Sequence, residues 1–172
     1  MELMELIKTR RSIRKFNPDI AVDEATVNKI LEAGIWAPSA GNTQCWRFLV
    51  VRDKQIKKRL ASEAGHQPFI ASAPVVIVVC ADLGHMQRSY GERGLSTYSL
   101  QDTAAAIENM LLTITELKLG CCWIGAFKEE EATKILNLPA AFRPIAILPI
   151  GMPAETPAPT PRRKIEEVTT YL

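Results

Sequence analysis

The sequence predicts one domain that mixes helices with β-strands, and three observations carry that expectation. The chain has 172 residues, 47% hydrophobic and 23% charged, a length suited to one domain that buries roughly 70% of its chain surface. Residues 75–80 form an almost uninterrupted apolar run, which reads as a strand covered on both faces. Residues 101–119 are apolar around most of a helical circumference (Ala104, Ala105, Ile107, Met110, Leu111, Leu112, Ile114, Leu117), so this segment is expected to form a helix at the centre of the core. The same composition excludes a disordered chain, a collagen-like repeat and a disulfide scaffold.

The elements follow in order. Leu3, Leu6 and Ile7 share a helical face, with Lys8, Arg10 and Arg11 at the C-terminal end, where cations complement the helix dipole. A second helix starts at Asp23, a suitable N-cap, buries Val27, Ile30, Leu31 and Gly34, and finishes before Pro38. Residues 38–44 are small and turn-forming, and lead into a strand at 46–51; a charged helix occupies 53–63. Residues 82–99 show no period, so the segment around Tyr90, Arg93 and Tyr98 reads either as a functional lid or as a plain surface loop. Gly120 is the expected C′ residue of the central helix. A strand at 121–127 turning at Gly125, a helix at 128–136 and a strand at 144–150 complete the pattern.

Beyond Gly151 the prolines at 153, 157, 159 and 161 forbid a helix or an inner strand. Extended at ~3.1 Å per residue, 153–164 spans on the order of 35 Å. Residues 165–172 then either add an edge strand to a neighbouring subunit or form a flexible tail.

Twenty-one Lys and Arg against nineteen Asp and Glu leave a formal charge of +2 and a mean hydropathy of +0.01. No excess charge drives nucleic-acid binding, so no nucleic-acid partner is expected. Cys45, Cys80, Cys121 and Cys122 have no metal-site spacing, and adjacent Cys121 and Cys122 point to opposite faces in a strand. No metal is expected, and the cysteines read as small buried hydrophobes. An acidic, interrupted N-terminal segment and the lack of a run of ~18 uncharged apolar residues lead to the expectation of a cytoplasmic chain with no membrane partner.

The densest polar cluster, Thr9 to Lys15, offers guanidiniums and a hydroxyl suited to a phosphate, and Arg162, Arg163 and Lys164 form a second basic group. If the two converge, the ligand is an anion. GxxxxGK[ST] and a strand-following GxGxxG are both missing, and His66 and His85 read as surface residues rather than bases. No catalytic side chain is assigned. A cofactor that carries its own chemistry reconciles good binding residues with so few catalytic candidates.

Three segments resemble, in order and spacing, the signatures of the FMN-dependent nitroreductase family: Arg10-Arg11-Ser12-Ile13-Arg14-Lys15-Phe16, then Ala37-Pro38-Ser39-Ala40-Gly41-Asn42-Thr43-Gln44-Cys45-Trp46, then Gly120-Cys121-Cys122-Trp123-Ile124-Gly125-Ala126-Phe127. The likeness extends through Gly91 to Gly94, Gln101 to Thr103, Gly151 to Pro153 and Arg162-Arg163. It implies an α+β, three-layer fold with a central mixed β-sheet flanked by helices, spanning 1–172 as one domain. Residues 153–172 would be an extended arm exchanged in a homodimer, with FMN at the subunit interface.

The resemblance places Arg10, Arg11, Ser12 and Arg14 on the FMN phosphate and flavin edge, and Arg162 with Arg163 at the phosphate. It brings Pro38, Ser39, Ala40, Asn42 and Gln44 to the cofactor from the partner subunit, and sets Ile124 and Gly125 along the flavin. NAD(P)H would be the electron donor, and a nitroaromatic, quinone or similar small molecule the acceptor. Two departures stand out: Cys45 where the family often has proline, placing a thiol near the flavin, and Met152 where an aromatic is common. Reductive dehalogenation, consumption of the flavin itself, and a non-catalytic phosphate- or nucleotide-binding module are the alternative readings. Loss of flavin on Arg10→Ala and Arg14→Ala, with Lys57→Ala as comparison, is the expected signature of the phosphate site.

Overall fold

The computed structural model describes residues 2–172. α1 (Leu3–Thr9) buries only Leu6, and Leu3 and Ile7 of the expected face stand in solvent. α2 (Glu24–Ile35) begins as expected, with the Asp23 carboxylate accepting the Thr26 N–H at 2.7 Å. Its buried stripe is Val27, Ile30 and Gly34. β1 (Trp46–Val51) follows a turn, and α3 (Lys54–Arg59) continues into a π-turn at Leu60–Ala64. The short α4 (Phe69–Ser72) has no sequence forecast; it leads into β2 (Val75–Asp82).

The stretch expected to be irregular is helical. α5 (Leu83–Arg93) is capped by Asp82, whose carboxylate accepts the His85 N–H at 2.9 Å, and a π-turn at Gly94–Tyr98 joins it to α6 (Ser99–Glu116). Its missing period has a cause: α5 buries only Met86, and Gly91 breaks the helix with φ +55°. α6 ends in a Schellman turn, in which Lys118 N donates to Thr115 O and Leu119 N to Ile114 O. The left-handed C′ residue is therefore Lys118 (φ +58°) rather than Gly120, which opens β3 (Gly120–Cys121). Glycine is required there for a different reason, since a Cβ would lie 2.8 Å from Ile13. α7 (Glu129–Leu136) and β4 (Phe142–Gly151) complete the core, and the remaining tail is exposed apart from its first few residues.

The sheet order is β1-β2-β4-β3, with every named pair antiparallel; the parallel component of the expected mixed sheet is a single bridge, Ser12 to Cys121. β2 is buried along nearly its whole length, as its apolar run predicts. One face packs on α2 and α6 through Ile30, Ile107, Met110, Ile77 and Leu148, the other on α3, α4 and α7 through Leu60, Ile70, Val76, Val78 and Ala132. Cys121 belongs to the first cluster and Cys122 to the second, so the two thiols do point to opposite faces. All four cysteines are buried and free. Among the described residues no helix is long and apolar enough to cross a membrane.

Lys57 is not an inert surface residue. It is only 5% exposed, and its ammonium donates to Ala73 O at 2.6 Å and Pro74 O at 3.3 Å. Removing it would release the turn before β2, so an exposed lysine such as Lys29 is the better comparison variant.

Candidate functional site

The arginine-rich segment is held from both sides by its backbone. Ile13 N donates to Cys121 O at 2.9 Å, and the Ile13 side chain fills the space that Gly120 leaves open. On the other side, Asn17 N donates to Met152 O and Ala154 N to Lys15 O, both at 2.9 Å. The Glu155 carboxylate accepts the N–H groups of Arg14 and Lys15. These bonds fix the main chain while Arg14 remains exposed and Arg10 half-buried. Ser12 sits beside Cys122, whose thiol is raised by burial and drawn back by Arg14, the Ser12 hydroxyl and Arg10. Arg11 differs, because its guanidinium turns back onto Lys8 O (2.6 Å) and Arg10 O (2.9 Å) at the end of α1.

The 38–45 turn is organised by one buried carboxylate. Asp102 accepts Ala40 N at 3.0 Å and Thr43 Oγ1 at 3.3 Å, with Cys45 Sγ at 3.7 Å. Ser39 Oγ accepts Gln44 N at 3.0 Å. This framework holds three left-handed conformations within four residues, at Gly41 (φ +53°), Asn42 (φ +55°) and Gln44 (φ +50°), with Thr43 right-handed between the last two, a costly arrangement for the two that are not glycine. At Gly41 a Cβ would lie 2.1 Å from the Tyr90 hydroxyl, so α5 closes directly over the turn. Arg93 ties α5 to the following turn, donating to Tyr98 Oη at 2.9 Å. The side chains of Asn42 and Gln44 are left exposed.

Cys45 is 1% exposed, and its thiol is pushed up to about 12, chiefly by burial and then by Asp102. It serves as a packed hydrogen-bond donor to Asp102. Asp102, Glu155 and Tyr90 were not singled out from the sequence for these roles. An acidic residue in an otherwise apolar helical pattern was the available signal for Asp102; for Glu155 and Tyr90 the partners are remote in sequence, and no local signal exists.

The register separates the two halves of the site. The 38–45 turn enters β1 at Trp46, which pairs with Ala81, whereas Ser12 pairs with Cys121, opposite Ile150 and Val75. Positions 75 and 81 of β2 are roughly 20 Å apart at ~3.3 Å per residue. One chain therefore does not bring Pro38, Ser39, Ala40, Asn42 and Gln44 onto Arg10, Ser12 and Arg14. Ile124 is buried and bonded in both directions to Ile147 (3.0 Å), and exposed Gly125 has only Trp123 Nε1 near the place of a Cβ, at 3.8 Å. Arg162 bonds within residues 160–161 and Arg163 to Glu167, so both make their contacts inside the tail.

The donor set fits a flavin mononucleotide on its chemistry. Arg10 and Arg14 carry fork donors and Ser12 a hydroxyl; the expected strand at 121–127 stops at Cys121, and the irregular segment after it leaves space beside Gly125, with Trp123 Nε1 3.8 Å from the place of a Cβ.

The chain is similar to known proteins over most of its length. A family model described as the Nitroreductase family matches residues 7–65 and 60–152. The FMN reductase [NAD(P)H] of Bacillus subtilis is 32% identical over 187 residues, covering 99% of this chain and 75% of that protein. A Desulfovibrio desulfuricans chain solved in complex with FMN is 34% identical with a TM-score of 0.86, covering 100% of this chain and 97% of its own. A nitroreductase family protein from Streptococcus pneumoniae is 26% identical with a TM-score of 0.90, covering 99% and 100%.

Proposed function

The chain belongs to the nitroreductase family, and we propose that it works as a homodimer carrying electrons from NAD(P)H to a nitroaromatic, quinone or similar small acceptor. It is an NAD(P)H-dependent flavin oxidoreductase whose cofactor is FMN. FMN, when bound, would supply the hydride and electron transfer between NAD(P)H and the acceptor, so the side chains need only bind, orient and exclude water.

Arg10, Ser12 and Arg14 hold the phosphate and the flavin edge, with Arg11 contributing less because its guanidinium caps α1. Arg162 and Arg163 of the tail join at the phosphate. Ile124 and Gly125 line the ring, and Gly125 presents unobstructed backbone to it. Pro38, Ser39, Ala40, Asn42 and Gln44 close the site from the partner subunit, their turn preshaped by Asp102.

The observation that carries the dimer is the separation of the two half-sites at opposite ends of one sheet. Exposed apolar residues agree with it: Trp36 is 79% exposed beside the turn, and Ile165, Val168 and Tyr171 protrude from the tail. The chain acts as one domain with 153–172 as an exchanged arm, in the cytoplasm, without nucleic-acid or membrane partners.

A visible spectrum of the purified protein before and after NAD(P)H tests the reading. A yellow protein bleached by NAD(P)H and re-oxidised by a quinone or nitro compound is the expected result. A colourless protein that takes up no FMN on reconstitution overturns it.

A further inference from the structure

A cleft of about 610 Å³ opens beside α3, away from the residues assigned to the flavin. Its wall includes Arg52, Lys54, Lys57 and Lys58 against a single carboxylate, Asp19, and part of its floor is apolar, through Pro18 and Pro74. The cleft sits where residues 18–21 meet Arg52, α3 and the 71–74 turn before β2; Ser12 is reached from that turn across the sheet, through Val75, Ile150 and Cys121. Three pairings, roughly 14 Å, separate Val75 from Ser12.

Among the described residues none of these four cations takes part in an ion pair. Asp53, the acidic residue in their midst, has its carboxylate engaged by the N–H groups of Gln55 and Ile56, both at 2.8 Å. Lys57 is buried, and two of its three N–H donors reach the carbonyls of Ala73 and Pro74. Its ammonium is disfavoured first by burial and then by Lys54 and Arg52. Gathering like charges around a desolvated ammonium opposes folding. A multivalent anion in the cleft would reverse that repulsion.

We propose that this cleft binds a small anion carrying two or more phosphate groups, at a site separate from the flavin. Lys54, Lys58 and Arg52 engage the phosphates from the rim, and Lys57 supplies fixed positive charge beneath them. A single phosphate would leave part of the rim unpaired, and the volume lies within the roughly 300–1,000 Å³ of small-molecule sites.

The test is isothermal titration of the FMN-loaded protein with ATP and, separately, with tripolyphosphate at constant ionic strength. It compares wild type, the Lys54→Gln/Lys58→Gln variant and a charge-matched Lys29→Gln/Lys118→Gln variant. Saturable one-to-one binding, weakened at least tenfold in the first variant and less than twofold in the second, with unchanged flavin content, is expected. Tighter binding of ATP than of tripolyphosphate identifies a nucleotide as the source of the phosphates, and equal binding a polyphosphate alone. No saturable binding, equal losses in both variants, or binding seen only after FMN is removed overturns the proposal.

Discussion

The two arginine clusters stand out about equally in the sequence, yet the fold treats them in opposite ways. Around Arg10 to Arg14 the backbone is fastened on both sides, to Cys121 and to residues 152–155, while the guanidiniums of Arg10 and Arg14 stay available. Around Arg162 and Arg163 the backbone is exposed, and the guanidiniums bond to their own neighbours. A segment whose backbone is fastened while its guanidiniums stay available is preorganised for an anion. A tail with only local bonds acquires a role once another surface orders it, which is what an exchanged arm requires.

Removing the tail tests that contrast most severely. Truncation after Thr160 is expected to yield a monomer without FMN, read by light scattering and flavin absorbance per protein; a flavin-loaded dimer would show that the second cluster is dispensable. Next in size, Arg10→Ala and Arg14→Ala should each weaken FMN binding on the order of tenfold to a hundredfold, since a charge-assisted hydrogen bond contributes ~1.5–3 kcal/mol. Lys29→Ala should leave affinity unchanged, and fluorescence titration with FMN measures all three.

Asp102→Ala strips the acceptor from Ala40 N and Thr43 Oγ1 and should cost ~1–3 kcal/mol, lowering Tm by roughly 2–4 °C per kcal/mol. Calorimetry reads the Tm, and flavin titration shows whether the turn has lost its shape. Glu155→Ala frees two backbone N–H groups at a partly exposed position, and a Tm loss of a few degrees with a weaker FMN site is expected. Alkaline pH acts on the buried thiols instead. Cys45 and Cys80 are raised from 9.0 to about 12, mainly by burial, so the folded chain keeps both thiols protonated where the unfolded chain ionises them. Their contribution is complete below about pH 9 and declines as pH rises toward about 12. Urea midpoints across that range, repeated with Cys45→Ala, should show a shallower decline in the variant.

Much of the fold was legible because its signals are local. The buried run of β2, the Asp23 cap and the apolar circumference of α6 each occupy consecutive or helically spaced residues. The helix at 83–93 was hidden because Gly91 interrupts it and only Met86 is buried, so no period survives. Gly120 was correctly marked as a special position but for the wrong cause, since its constraint is contact with Ile13, more than a hundred residues away in the chain. For the candidate site, Arg10, Ser12 and Arg14 are legible as anion donors from their chemistry, whereas the 38–44 turn is marked only by the family resemblance. Asp102 and Glu155 are not legible, because what they hold lies 57–62 and 140–141 residues distant.

The sequence by itself determined which donors this protein has and where its strands and helices run, because residue chemistry and hydrophobic period are properties of short segments. Only the tertiary structure decided which arginines stay available, that Cys45 is a buried hydrogen-bond donor, and that residues 10–14 and the 38–45 turn lie at opposite ends of one sheet. Those outcomes depend on strand register and on contacts between residues far apart in the chain, which local pattern does not encode.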